Sequence, residues 1–517
     1  MSDKVAMLRN VAIVAFASYV ESAVGLLAGI VIARTLGPAD YGHYAYAVWV
    51  CGVLIMITNS ALSTSSIKFL AELRGAQQVE LAHVLVYKFL RWQSWSGMLV
   101  LGCFVIYSLL QPHGQRPENF VPMLLITVVG VWARAGFWLQ GAIGKGFELF
   151  GPENITLAMT AMLNLVLTGV LAWMGAGVVE FFAGYAALGL VSNLLVRWML
   201  RKTEVVSQDG ELPAPLFKRV RKHLFLTGIL ITLSAVTNRA VEMTLLKQFS
   251  GTTAVAYFAI AGALSKGAVD LLAGGLSAVL LPSMARQYGE GGSKSLARML
   301  VESTRLYWFM GLAVAGLGLT VADGAIRVLY GMRYVDAIPA LSWQLLVSGL
   351  VVMNGAALAA LTADDRQFER IVIVGLTFVC NVMLGYGLIP RYGLSGAVAS
   401  SMLTQFIGAG LIWFYTLKHT QAKLLIGPMT RLLAAASVST GVAWSFTWLW
   451  GWAWAFIPGA LVFLACYLVS SVVFRTWRGS DFDVFASLAM RAGAPGRRLA
   501  PWVAGLGNRF GVVSHAA

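Results

Sequence analysis

Charge is what this sequence has least of. Asp, Glu, Lys and Arg together make up 12% of its 517 residues, whereas hydrophobic side chains make up 58%. A row of soluble domains needs a charged exterior, so this composition excludes one and points to a chain that crosses a membrane many times. Cysteine is scarce as well. Cys51, Cys103, Cys380 and Cys466 each lie inside an apolar run without metal-ligand or redox spacing, which leaves them as small core residues. Motifs that carry chemistry are missing. There is no zinc motif and no nucleophile elbow, and the glycine-rich stretch Gly141–Gly146 lacks the Lys–Ser/Thr pair of a phosphate loop. The chain is therefore read as a non-enzyme with no cofactor and no nucleotide hydrolysis. A cleavable signal peptide is not expected either, because the first apolar run is too long and many more follow.

What the sequence does hold is fourteen apolar segments, each long enough to span at about 20 residues per helix. They run from 10–33 to 453–474, with the fourth at 120–144, the seventh at 224–247 and the eighth at 254–281. The formal charge of +15 does not point to nucleic acid, because the basic residues are scattered between apolar runs with no basic, aromatic-studded stripe. Their placement is topological. With the N-terminus inside, only six of the 38 Lys and Arg fall in outer loops: Arg34, Arg116, Lys247, Arg327, Arg333 and Arg391. Three more lie within spans, so 29 remain for the inner loops and the termini. That asymmetry predicts both ends in the cytoplasm.

The stretch from Gly29 to Gly75 organises the chain. An apolar helix ends near Arg34, a ten-residue turn TLGPADYGHY reverses direction, and a second apolar helix ends in a basic cluster. Gly37 suits positive φ, Pro38 fixes the start of a turn, and Asp40 suits a helix cap. The same unit returns without a gap: Gly37 falls on Gly251, Ala45 on Ala259, Leu62 on Leu276, Ser63 on Ser277 and Gly75 on Gly289. An ungapped register across a turn and a helix indicates an internal duplication. Its offset covers six spans, so both copies enter the membrane in the same direction. The predicted fold class is all-α: a polytopic membrane protein of about 14 transmembrane helices, with two pseudo-symmetric six-helix lobes and two C-terminal helices. The boundaries are 1–200 for the N-terminal lobe, 201–222 for a basic cytoplasmic linker and 223–418 for the C-terminal lobe. Two additional helices follow at 419–475, then a basic tail at 476–517.

Charges inside spans are the informative residues, since each costs about 2.5–3.5 kcal/mol at mid-membrane and should face protein or a wet cavity. They are Glu21, Arg134, Arg239, Glu242, Lys266 and Asp270. The spacing lets Arg239 meet Glu242, and Lys266 meet Asp270, on one helix face. The matching first-copy positions are Gly25, Ala28, Gly52 and Met56, so the second copy carries charge where the first does not. Asn59, Asn164, Asn238, Asn354 and Asn381 are expected to hydrogen-bond between helices. Trp132 and Trp138 are candidates for stacking on sugar rings.

Three further pieces, AIRVLYGMRYVDAIPAL, LTADDRQFER and LIPRYGLSGAVASS, join ARTLGPADYGHYA in resembling the oligosaccharide flippase family of bacterial polysaccharide biosynthesis. That family shares a superfamily with lipid II flippases and multidrug and toxic compound extrusion transporters. The resemblance runs from about Val11 to Arg475. The second copy of the turn, FSGTTAVAYFAIA, departs by lacking the first copy's Pro and Asp. The resemblance implies alternating access in a bacterial inner membrane. The cargo it implies is an isoprenoid-diphosphate-linked oligosaccharide, moved from the cytoplasmic to the periplasmic leaflet. On that reading Arg134, Arg239 and Lys266 form a basic patch for the diphosphate, while Glu21, Glu242 and Asp270 serve coupling and charge balance. Implied partners are the lipid-linked oligosaccharide, membrane lipids, and a glycosyltransferase or polymerase of the same pathway, with no nucleic acid. Competing readings are a drug/cation antiporter, which favours an acidic cavity, and a membrane polysaccharide polymerase or ligase, which needs an outer loop longer than the roughly twenty residues available here.

Overall fold

In a chain this apolar, helices are the spanning element that satisfies its own backbone hydrogen bonds. The computed structural model describes residues 3–111, 119–203, 205–237, 239–364, 366–451 and 456–477, with isolated tail positions; side chains are described from Tyr19 onward at most of these. No strand occurs among them. The helices are α1 (Asp3–Gly75), α2 (Val79–Leu110), α3 (Phe120–Gly146), α4 (Gly151–Trp173), α5 (Val178–Leu200), α6 (Ala214–Thr237) and α7 (Ala240–Phe249). After them come α8 (Gly251–Ala325), α9 (Ile338–Val351), α10 (Asn354–Ala363), α11 (Gln367–Thr420), α12 (Ile426–Trp450) and α13 (Phe456–Val473). A π-helical turn, Ile326–Tyr330, and a 3-10 turn, Met332–Ala337, join α8 to α9.

Among the described residues, eleven helical stretches are long and apolar enough to cross a membrane. The first, Tyr19–Gly75, has 57 residues, or about 85 Å of helix at 1.5 Å per residue, far more than a core of about 30 Å admits in one pass. It divides at Gly37, the one non-helical residue inside α1, and Phe368–Thr420 divides likewise at Gly393. With α6 and α7 taken together as one broken crossing, these fourteen correspond to the fourteen predicted segments.

The turn at Gly37 is tighter than the ten-residue loop expected. Only Gly37 leaves the helical region, with φ 76°, because Pro38 is tolerated in the first turn of the helix that follows. Its partner in the duplication, Gly251, has φ 81°. Both copies thus turn on a glycine in a conformation that a side chain disfavours. Cys51 is buried as expected, but Cys103 is exposed and Cys380 and Cys466 are half-buried; a thiol is apolar enough to face lipid as well as protein. The predicted outer-loop Arg116, the linking Asn238 and nearly all of the basic tail 476–517 lie outside the described residues.

Packing divides the chain into two units, residues 1–259 with 374–401, and residues 260–373 with 402–517. In the first, Phe69, Leu70, Phe89, Leu139 and Ile143 form one buried cluster, and Cys51, Val131, Ala135 and Phe182 form another. The two copies of the turn meet here. A Cβ on Gly42 would lie 1.9 Å from the Thr252 carbonyl oxygen, and the Lys247 ammonium sits 3.9 Å from the centre of the Tyr46 ring. In the second unit, Tyr307, Leu300, Ala356 and Trp413 share one core, and Leu312, Ala435, Phe463 and Tyr467 share another. Trp413 donates to the Asn354 side chain at 3.0 Å, and the Tyr467 hydroxyl donates to the Phe309 carbonyl at 3.1 Å. Gly311 and Gly349 let α8 and α9 touch backbone to backbone, the small-residue contact typical of helices packed in membranes.

A clasp joins the end of α1 to the start of α6. Both terminal guanidinium nitrogens of Arg219 donate to the Glu72 carboxylate, at 2.6 and 2.7 Å, and His223 Nδ1 lies 2.9 Å from Ser65 Oγ. His223 stands one residue before the predicted seventh span. Burial first, then the charges of Lys68 and Arg219, hold its imidazole below the ordinary histidine value. The fold therefore favours the neutral ring. Its contribution to stability is complete above about pH 6.5, the value for a free histidine, and is lost as pH falls below it. Protection of the amides across residues 65–75, corrected for the intrinsic pH dependence of hydrogen exchange, is expected to weaken between pH 7.5 and 5.5, and His223→Asn to flatten that dependence. An unchanged pH dependence in the variant would remove His223 as its source.

Candidate functional site

Small residues in α3 and α5 make room for a charge between them. Ala133 and Ala135 are buried on either side of Arg134, and a Cβ on Gly189 would stand 2.9 Å from the Arg134 side chain. The guanidinium carbon rests 3.7 Å from the centre of the Tyr185 ring, and Nη2 donates to the Tyr185 carbonyl at 3.2 Å. Nε is hidden from solvent with no hydrogen-bond partner, and no acidic side chain forms an ion pair with Arg134 among the described residues. A cation on an aromatic face gains from the ring quadrupole without being neutralised. Its charge stays without an acidic partner among the described residues, and one buried donor stays unpaired. Further along the same seam, Gln140 donates to the Asn193 side chain at 2.7 Å.

The second feature is a broken helix. Between α6 and α7 Arg239 adopts φ 67°, ψ 1°, a left-handed conformation unfavourable for an L-residue by about 1–2 kcal/mol. The matching residue of the first copy, Gly25, lies in unbroken helix. Breaks of this kind are tolerated within membrane spans where the freed backbone faces protein or a wet cavity, and transporters place ligand sites at them. The break also corrects one expectation. Arg239 and Glu242 form no ion pair, because Arg239 precedes the helix and does not share its face. Glu242 is 1% exposed and accepts a 2.7 Å hydrogen bond from Asn381 of α11, while its Oε2 has no partner.

The remaining charges fall elsewhere. Lys266 and Asp270 form the predicted pair one helical turn apart in α8, with both side chains at least half exposed. Glu21 is half-buried in α1. Arg134, Arg239 and Glu242 belong to the first unit, and Lys266 and Asp270 to the second. Trp132 and Trp138 are exposed. Asn381 and Asn354 bond between helices, whereas Asn59 and Asn164 accept from residues of their own helices. Sequence reading missed Tyr185 as the seat of Arg134. A tyrosine 51 residues away carries no local mark of that role. It also passed over the Lys145–Glu153 pair, at 2.8 Å, in which Glu153 is buried and Lys145 half-buried. No cluster of metal-ligating side chains occurs among the described residues.

Removing one partner of a buried hydrogen bond costs about 1–3 kcal/mol through the group left unsatisfied. Glu242→Ala is therefore expected to lower the thermal unfolding midpoint in detergent, and Glu242→Gln, whose carbonyl still accepts from Asn381, to keep it near wild type. Equal midpoints for the two variants would mean that the bond contributes nothing.

The comparisons with known proteins agree with this architecture. The family described as "Polysaccharide biosynthesis protein" matches residues 7–287, more than half of the chain. The probable flippase AglR of Haloferax volcanii is 25% identical over 326 residues; the match covers 61% of this chain and 66% of that protein, just under two thirds of its length. Among solved structures, the lipid II flippase MurJ in an inward closed conformation aligns with a TM-score of 0.70 at 14% identity, over 89% of this chain and 98% of that one. A multidrug resistance MATE family transporter of the MOP superfamily, inward-facing, gives 0.68 at 15% identity, over 78% and 94%. These likenesses establish the fold, and the relatives so named are flippases and transporters rather than enzymes. With a matching family model over residues 7–287 and a many-helix membrane architecture to go with it, the chain belongs to the polysaccharide biosynthesis protein family.

Proposed function

We propose that the protein moves an isoprenoid diphosphate carrying a short glycan from the cytoplasmic to the periplasmic leaflet of a bacterial inner membrane. It does so by alternating access between lobes 1–200 and 223–418, with both termini cytoplasmic. Arg134 carries this reading. A guanidinium seated in a membrane span on Tyr185, without an acid to neutralise it, suits a phosphate-bearing cargo and disfavours a cationic drug. Guanidinium forks also match phosphate oxygens in geometry. The family and the flippases among its relatives support the reading. The multidrug relatives share the same fold, so the choice between cargoes rests on the charge. Arg239 and Lys266 would extend the basic patch.

Coupling falls to the intramembrane carboxylates Glu21, Glu242 and Asp270. Each unit charge moved across 100 mV is worth about 2.3 kcal/mol, enough to bias a conformational cycle. Glu242 is the best placed of the three, since it is buried beside a helix break and keeps one oxygen unpaired.

The test is to inactivate the protein in its own cells and identify the lipid that accumulates. An isoprenoid-diphosphate-linked glycan retained in the cytoplasmic leaflet is the expected result. Sensitivity to cationic drugs, with no such lipid, would overturn the proposal in favour of an antiporter.

A further inference from the structure

The basic run at the start of α6 has no place in the patch around Arg134, and the structure ties it to a groove. One face of α6 from Leu224 to Leu233, with Phe378 of α11, lines an open apolar groove of about 670 Å³. Its floor is low because Gly228 has no side chain; the nearest atom to a Cβ there would be the Ala61 methyl, at 3.8 Å. From Leu224 to Leu233 a helix rises about 13–14 Å, close to the depth of one leaflet. Following the same face back toward the N-terminus, Phe225 is succeeded at helical spacing by Arg221 and Lys218, with Lys222 beside them. All three cations are exposed, and none forms an ion pair or hydrogen bond among the described residues. Arg219, by contrast, is occupied by Glu72.

We propose that this face of α6 is a docking site for the polyprenyl diphosphate part of the cargo, separate from the Arg134 seat. The prenyl chain lies in the groove, and the diphosphate rests on Lys218, Arg221 and Lys222. The chemistry is matched at both ends. The groove offers one apolar strip for one chain, whereas a phospholipid brings two. Three free cations suit the multiple charge of a diphosphate better than the single charge of a phosphodiester. The groove begins directly beside the cations and covers only the leaflet on their side, which the loop asymmetry makes cytoplasmic. A lipid held there would be gathered before translocation, and the inference thus rests on the flippase reading.

The experiment uses the purified full chain in nanodiscs and measures retention of a long-chain polyprenyl diphosphate against phosphatidylglycerol. Lys218→Gln/Arg221→Gln/Lys222→Gln is expected to weaken retention of the diphosphate by on the order of a hundredfold. Gly228→Leu, which fills the groove, should weaken it by about tenfold, and Gly228→Ala should behave as wild type. The clasp of Arg219 with Glu72 stays intact in all of these, so unfolding is checked independently by the thermal midpoint. If wild type binds the diphosphate but the variants bind it equally well, the site is wrong and the flippase reading stands. If phosphatidylglycerol competes equally, the cations are only an anchor for anionic lipid and the proposal fails. If wild type retains no polyprenyl diphosphate at all, both the site and the flippase reading fall.

Discussion

Gly42→Ala is expected to stop transport while leaving the amount of protein in the membrane unchanged. The added Cβ would stand 1.9 Å from the Thr252 carbonyl oxygen and 2.5 Å from its carbon, distances no Cβ tolerates. The obstacle is backbone, so no rotamer change relieves it. Overpacking against groups that can yield costs about 1–3 kcal/mol, and a rigid neighbour puts this case at the upper end or beyond. About 3 kcal/mol is a shift in population of roughly a hundredfold away from any state in which the two turns touch. On the alternating-access proposal, in which the turns come together once per cycle, the protein then stalls. A short bis-thiol reagent reports the contact if Tyr46 and Lys247, which pack together, are changed to cysteine in a chain lacking its four native ones. Crosslinking should be efficient with Gly42 and sparse with Gly42→Ala. Sparse crosslinking together with normal transport in the variant would show that the contact is dispensable, and normal crosslinking would show that the added methyl does not break it.

Replacing Arg134 separates cargo recognition from folding. The side chain gives the fold one hydrogen bond, to the Tyr185 carbonyl, and a stacking contact on that ring, so Arg134→Ala should leave protein levels close to normal. Its loss to transport is larger. A hydrogen bond to a charged group is worth about 1.5–3 kcal/mol, and a guanidinium presents two to a diphosphate, so a fall of at least about a hundredfold is expected. Arg134→Lys keeps the charge but loses the fork and should retain part of the activity. The rival explanation, fold stability, applies better to Arg239 and Glu242, since Glu242 is buried and bonded to Asn381. Arg239→Ala/Glu242→Ala therefore serves as the comparison, with protein level measured beside flipping. Full transport after Arg134 and Arg239 are removed together would sink the basic-patch assignment.

The sequence by itself determined what depends on near neighbours along the chain. Membrane class and the fourteen crossings follow from hydropathy over some twenty residues. The turn at Gly37 follows from a Gly–Pro pair, and its recurrence at Gly251 from an ungapped register. Lys266 with Asp270 is a matter of one helical turn. Each of these rests on i to i+4 geometry or on a local backbone preference, and neither requires knowing how one helix is rotated against another. Tertiary structure decided the rest. Tyr185 receives Arg134 across 51 residues, Asn381 reaches Glu242 across 139, and Thr252 closes on Gly42. Arg239 fails to pair with Glu242 although their spacing allows it, because the helix that would align them breaks at Arg239 itself. In an apolar chain many helix faces are nearly equivalent as packing surfaces, and lipid offers each of them a similar environment. Which faces meet is then set by small differences in packing and by a few interhelical hydrogen bonds, and these exist only once the helices have been assembled.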